Sequence, residues 1–146
     1  VYAKGRENFQ RLIAEGALVR DTQPCFYLYR QVMGTHGQTG IVASASCQEY
    51  LDGTIKKHEL TRPDKEDDRV RHIETLDSQT GPVFLTYRAD AAIDAFVAER
   101  TTRPPHVDFT TTDRVRHTSW RLSDPADVRF LSEAFARIPV AAGSRG

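Results

Sequence analysis

The chain lacks long apolar runs and an excess of either charge, and both absences narrow the classes of protein to which it can belong. None of its 146 residues lies in an apolar stretch near the ~20 residues that a membrane-spanning helix needs. Twenty basic residues balance twenty acidic ones, so no overall positive field attracts nucleic acid, and any anion site must be local. The length suits one domain. We therefore predict a single soluble domain over residues 1–146.

Motifs of several known chemistries are also missing. The sequence has no G-x-x-x-x-G-K-[ST] or G-x-G-x-x-G phosphate loop, no H-E-x-x-H and no G-x-S-x-G. Its five histidines show no zinc-type spacing with one another or with the cysteines. We predict no zinc and no bound structural metal.

Cysteine is scarce, and no leader of charged, apolar and small residues precedes the first helix. Cys25 and Cys47 are therefore predicted to be reduced residues of a cytoplasmic protein. Because the chain starts at Val1 without such a leader, we expect an internal segment of a longer protein.

The order of the predicted elements indicates an α+β fold. We expect an antiparallel or mixed sheet, built from two hairpins and one further strand, with about four helices packed on it. In chain order the predicted elements are helix 2–15, strands 25–33 and 39–47, a short helix or turn over 48–55, helix 63–78, strand 82–88, helix 90–100, a hairpin over 106–122 anchored by Trp120, and a helix that begins at Asp124.

The first hairpin has a predicted register. A loop centred on His36 places Cys25 opposite Cys47 and Tyr27 opposite Ala45, so bulky rings meet small side chains. In this register the two thiols face each other and could oxidise. The aromatic residues Phe26, Tyr27, Tyr29, Tyr87 and Trp120 could stack on nucleic-acid bases, but packing in the core is the favoured interpretation.

Lysine is rare in this chain, and three of the four lysines fall between positions 56 and 65. The segment from Gly53 to Arg69 combines basic residues, carboxylates and a histidine with the start of a predicted helix. Free amides at a helix N-terminus with nearby Lys and Arg form an anion site. A solvated turn is the alternative.

Two features of this segment carry the chemical hypothesis. Arg69 lies at i, i+4 and i+7 spacing with Ile73 and Leu76, so we predict that it faces the protein and pairs with Asp68, Glu59 or a ligand anion. His58 and Glu59 adjoin one another, as a general base and a proton acceptor would, although such neighbours are only weakly specific.

Several stretches resemble a known family. They are F-Y-L-Y-R-Q from Phe26, T-G-I-V-A-S-A-S from Thr39, Y-L-D-G-T-I-K-K-H-E-L-T-R-P-D-K-E-D-D-R from Tyr50 and G-P-V-F-L-T-Y-R from Gly81. The chain thereby resembles, from Val1 to about Pro139, the prokaryotic family catalogued as domain of unknown function 1015. The most specific part is H-E-x-T followed by K-x-x-D-R.

That family is similar to the ParB and sulfiredoxin superfamily, whose members bind nucleotides and include kinases of free serine. The resemblance implies nucleotide-dependent phosphotransfer to a small hydroxyl metabolite, with ATP or ADP and Mg²⁺. The implied phosphate-binding residues are Lys57, Thr61, Lys65 and Arg69, and the implied catalytic residues are Glu59, His58 and Asp68. Family members carry A-D-G-H-H-R after the I-P that matches Ile138-Pro139, and this chain does not, so we expect it to lack part of the nucleotide site.

Two other functions stay open. The chain could be a non-enzymatic module that binds a nucleotide or another phosphorylated metabolite, or the 56–69 cluster could be an ion-pair network that only fixes a loop. The expected partners are a small-molecule substrate and a nucleotide, not a membrane or a nucleic acid. The sequence leaves homo-oligomer formation open.

Overall fold

The computed structural model describes residues 1–57 and 62–142. Within these ranges helices and strands are mixed along the chain, which confirms the α+β class. In chain order the elements are α1 (Tyr2–Ala14), β1 (Phe26–Met33), β2 (His36–Val42), α2 (Cys47–Leu51), α3 (Pro63–Leu76), β3 (Leu85–Tyr87), α4 (Ala91–Arg100), β4 (Val107–Thr110), β5 (Arg116–Leu122), α5 (Pro125–Phe135) and β6 (Val140–Ala142).

Four strands form one antiparallel sheet in the order β2-β1-β5-β4. Each predicted hairpin supplies two neighbouring strands. The hairpins are joined by β1 and β5, where Leu28 pairs with Trp120. The further strand lies outside this sheet, because β3 pairs with β6 in a separate antiparallel ribbon.

The predicted register of the first hairpin is wrong. Tyr27 pairs with Val42 instead of Ala45, because a two-residue turn of Gly34 and Thr35 connects the strands. Gly34 has a φ of 59°, and glycine with positive φ at the first central position is typical of a tight hairpin turn. Cys25 precedes β1 and Cys47 begins α2, so the predicted strand pairing of the thiols does not form, and both cysteines are free.

The core lies on one face of the large sheet. Leu28 and Leu131 are fully buried, and Trp120 is 6% exposed, which confirms it as the anchor of the second hairpin. Helices α4 and α5 cover this face, and the rings of Phe96 and Phe130 stack between them at 4.7 Å. The aromatic residues that could have formed one stacking platform are divided: Phe26 and Trp120 belong to the core, whereas Tyr29 stacks with His117 on the opposite face.

A buried ion pair joins the two covering helices. Asp127 of α5 is 3% exposed, and it accepts two hydrogen bonds from the Arg100 guanidinium of α4, at 2.9 and 2.5 Å. Asp90 and Asp124 cap the N-termini of α4 and α5, because their side chains accept hydrogen bonds from backbone N–H groups of the first turn. The orientation of α4 against α5 is therefore fixed by polar as well as apolar contacts.

Helices α1 and α3 pack against each other. Helix α1 ends at Ala14, and Gly16, whose φ is 72°, forms the turn that follows it. Gly16 N–H donates to Ile13 O and Ala17 N–H to Leu12 O, at 3.1 and 2.9 Å, which is the Schellman arrangement that the glycine predicts. Within the described ranges, none of the helices combines the length and the apolar character needed to cross a membrane.

Candidate functional site

An open cavity of 390 Å³ lies where the lysine-rich segment begins. Helix α2 and the residues that follow it form its walls. The lining residues are Tyr50, Leu51, Asp52, Gly53, Ile55, Lys56 and Lys57. Of the predicted phosphate-binding residues, Lys57 is thus placed at a cavity.

Local hydrogen bonds hold the walls of this cavity. Ser46 caps α2, and Gly53 turns the chain after it with a φ of 79°. Ile55 is 6% exposed, and its N–H donates to Glu49 O at 2.9 Å. Lys56 N–H donates to Val140 O at 3.0 Å, which ties the segment to β6. The backbone that leads into Lys57 is therefore anchored at Ile55 and Lys56.

The cavity carries more positive than negative charge. Lys56 Nζ donates to Gly53 O at 2.6 Å, and Lys57 Nζ lies 4.4 Å from the ring centroid of Tyr50. Asp52 is the carboxylate on the lining, and hydrogen bonds from Thr54, first of all its backbone N–H, lower the pKa of Asp52. Two ammonium groups and one carboxylate leave a net charge that favours an anion.

His58, Glu59 and Thr61 lie outside the described residues. The structure therefore does not test the roles predicted for these three side chains. It places Lys57 immediately before them and the N-terminus of α3 immediately after them.

Helix α3 begins at Pro63, as predicted, with Asp64 and Glu66 in its first turn. Lys65 and Arg69 are exposed and stand at i and i+4, so they lie on one face of the helix. In the part of the chain that the structure describes, neither side chain forms a salt bridge with a carboxylate, whereas Arg62 pairs with Asp64 at 2.8 Å. Both cations are therefore exposed on the same face of α3.

The prediction that Arg69 faces the protein is wrong. Helix α3 packs against α1, and the side of α3 that meets α1 contains Asp68, His72 and Thr75. Tyr2 contacts Asp68 and His72. Arg6 Nε donates a hydrogen bond to Thr75 O at 2.6 Å. These positions follow the i, i+4, i+7 spacing one residue before Arg69. The packed face is therefore rotated by about 100°, and Arg69 points to solvent.

Asp68 is held in its ionised form. The hydroxyl of Tyr2 donates to its carboxylate, and this hydrogen bond is the main cause that lowers the pKa of Asp68, with smaller contributions from the charges of Arg69 and Lys65. The same contact raises the pKa of Tyr2. The structure thus groups Asp68 with Lys65 and Arg69 on the first half of α3, but it gives no contact between this group and Lys57.

A second cavity, of 270 Å³, lies on the large sheet. No motif marks its residues in the sequence. The sequence pattern that could have identified Arg30 is the alternation along β1. Arg30 follows the core residue Leu28 by two positions, so it points to the same face of the sheet. Within residues 1–57 and 62–142, no three His, Cys, Asp or Glu side chains lie close enough together to hold a metal ion.

In the described residues the fold is α+β, and basic side chains line both of the cavities described above. A family model described as "Protein of unknown function (DUF1015)" matches residues 1–142, and the chain belongs to this family. A search of curated proteins gave no match. A search of solved structures gave none either.

Proposed function

We propose that the protein binds a nucleotide and transfers a phosphoryl group from it to the hydroxyl group of a small metabolite such as serine. The observation that carries this proposal is the 390 Å³ cavity lined by Lys56 and Lys57, from which the chain runs through His58 and Glu59 to the N-terminus of α3. Its size suits a small-molecule ligand. The net positive charge of its lining residues suits a phosphate group.

Each basic residue has a role in this proposal. Lys57 neutralises the phosphates at the cavity, and Lys65 and Arg69 add positive charge from one face of α3. Backbone N–H groups in the first turn of α3 also favour an anion. Phosphoryl transfer depends mainly on positioning and on charge stabilisation, which such groups supply.

The proposed reaction is a displacement at the terminal phosphorus of the nucleotide. The acceptor hydroxyl oxygen attacks the terminal phosphorus of the nucleotide, and the bond from that phosphorus to its bridging oxygen breaks. The electron pair of that bond leaves with the remaining nucleotide phosphate, and the hydroxyl proton passes to Glu59, assisted by His58. Mg²⁺ bound to the nucleotide would screen its phosphates. Asp68, ionised beside Tyr2, orients the acceptor hydroxyl or this ion.

The resemblance to the ParB and sulfiredoxin superfamily, which includes kinases of free serine, supports phosphotransfer over other uses of a phosphate site. A purely structural ion-pair network is a further candidate, and the pair of Arg62 with Asp64 favours it. A non-enzymatic binding module is the second candidate. The contact of Asp68 with Tyr2 favours it, because it leaves that carboxylate less free for chemistry.

Phosphorus NMR tests the proposal. The protein is incubated with Mg²⁺, serine and either ATP or ADP, and we expect a phosphoserine resonance to grow as the nucleotide is consumed. Glu59→Gln should keep nucleotide binding and lose rate, whereas Glu133→Gln, an exposed change on α5, should leave both unchanged. Binding without transfer in every variant would favour the binding module. The absence of nucleotide binding would refute phosphotransfer and would leave only a module that binds another phosphorylated metabolite.

A further inference from the structure

The second cavity lies on the core-facing side of the large sheet, beyond the area that α4 and α5 cover. Its floor comes from β1, β4 and β5, and its wall comes from residues 101–105, which follow α4. The residues that matter for its chemistry are Arg30, Val32, Arg103, Asp108, Arg116 and Trp120.

Strand register brings the polar floor together. Arg30 of β1 pairs with Thr118 of β5 on one side and with Thr39 of β2 on the other, and Thr118 pairs in turn with Asp108 of β4. These four residues therefore form one row across all four strands, next to the row that contains Leu28 and Trp120. Polar side chains beside the core lose contact with water, so they need hydrogen bonds or ion pairs to offset that cost.

Arg30 is the unusual member of this row. It is half-buried, its Nε donates to Thr39 Oγ1 at 2.9 Å, and its guanidinium carbon lies 5.1 Å from the ring centroid of Trp120. Among the described residues no carboxylate forms a salt bridge with it, although Arg100, Arg103, Arg116 and Arg121 each form at least one. Its Nη groups are therefore held in place without a counter-ion.

The other charges of the cavity do not neutralise Arg30. Asp108 accepts two hydrogen bonds from Arg116, at 2.9 and 2.6 Å, and a third from Thr118 at 3.3 Å. Arg103 on the rim pairs with Glu99 at 3.1 Å. Because Asp108 pairs with Arg116 and Glu99 with Arg103, the positive field of the cavity comes from Arg30. Val32, Pro105 and the ring of Trp120 add an apolar wall.

We infer that this cavity binds a small anionic compound, with one phosphate or carboxylate group held by the Arg30 fork and a short apolar body against Trp120 and Pro105. A planar guanidinium fork suits both oxyanions, since each offers two oxygens for parallel hydrogen bonds. The site shares no residue with the lysine-lined cavity, so it stands or falls independently of the proposed phosphotransfer.

Trp120 makes the inference directly testable, because it is the one tryptophan of the chain and it lines the cavity. Its fluorescence is recorded while phenyl phosphate, benzoate or the neutral analogue benzyl alcohol is added, with sodium chloride matching the ionic strength. We expect saturable changes with one or both anions and none with benzyl alcohol or chloride. The stronger of the two anions identifies the preferred head group.

Two variants and one control assign the response to the cavity. Arg30→Gln should weaken binding about tenfold or more, the usual effect of losing a charged hydrogen bond, and Arg103→Gln, a change of a half-exposed rim residue, should weaken it less. Arg129→Gln, on the exposed face of α5, and Lys57→Met should not alter it. The indole N–H of Trp120, which donates to Arg103 O at 2.9 Å, gives an NMR signal that reports on the fold of each variant.

The inference would be overturned if neither anion changed the fluorescence beyond the effect of chloride. It would also be overturned if folded Arg30→Gln and Arg103→Gln both bound as tightly as the unmodified protein. If Lys57→Met abolished the response, the anion would belong to the other cavity and the inference would again be wrong.

Discussion

Replacing Asp127 by Asn should destabilise the protein strongly, because Asp127 carries the buried charge that links α4 to α5. Its side chain is 5% exposed and that of Arg100 is 15% exposed. Removing one partner of a buried ion pair costs about 3–5 kcal/mol. Arg100 keeps its contact with the exposed Glu99, which reduces the loss, so we expect about 2–3 kcal/mol in the free energy of unfolding. For a domain of this size the melting temperature should fall by about 5–10 °C.

The dependence on pH separates the lost charge from a general packing defect. Hydrogen bonds from Arg100 lower the pKa of Asp127 in the folded protein. Its contribution is therefore complete above the ordinary carboxyl pKa of about 3.9 and is lost as the pH falls through the lower folded-state value. The free energy of unfolding in urea should differ between Asp127→Asn and the unmodified protein at pH 7, and this difference should become smaller at acidic pH. Glu133→Gln, on the exposed side of the same helix, is the control. A difference below about 0.5 kcal/mol at pH 7, the range of ordinary surface changes, would refute the reasoning.

Three further predictions concern the core, the thiols and the α1–α3 contact. Leu28→Ala, at a fully buried site, should cost about 2–5 kcal/mol in urea unfolding, and a loss no larger than that of the exposed Val19→Ala would contradict the assigned core. Thiol titration under air should find two free cysteines. Half-buried Cys25 should react more slowly than exposed Cys47, because burial raises the pKa of its thiol. If neither thiol reacted until a reductant was added, the two cysteines would form a disulfide. Tyr2→Phe should raise the pKa of Asp68 in carbon NMR titrations, because it removes the hydrogen bond that lowers it, and an unchanged pKa would mean that the contact is absent in solution.

Local signals predicted much of the fold. The predicted end of the first helix near residue 15 and the predicted starts of α3 at Pro63 and of α5 at Asp124 were confirmed, because capping residues act on their own backbone. The second hairpin and β1 were also placed correctly in the chain. The position of β2, which covers His36–Val42 and not 39–47, and the register of the first hairpin were predicted wrongly. Both depend on which residues form the turn, and the two-residue turn at Gly34 competes with a longer loop around His36.

Features that depend on distant pairing could not be predicted. The exposed position of Arg69 follows from the choice of α1 as the neighbour of α3, and the spacing within α3 carries no information on that choice. The polar row of Arg30 forms only when β1 pairs with β5, about ninety positions further along the chain. Lys57 was selected from its sequence alone and lies at a cavity. The roles of His58, Glu59 and Thr61 stay predictions.

The most direct test of the proposed function is calorimetric titration of the protein with Mg²⁺ and ATP or ADP, comparing Lys57→Met with Lys4→Met. Both lysines are exposed, but Lys57 lines the cavity, whereas Lys4 pairs with Glu7 on α1. The proposal predicts saturable binding that Lys57→Met weakens about three- to tenfold, as expected for an exposed charge on a phosphate, and that Lys4→Met leaves unchanged. Equal affinities in all three proteins, or no binding in any, would contradict it.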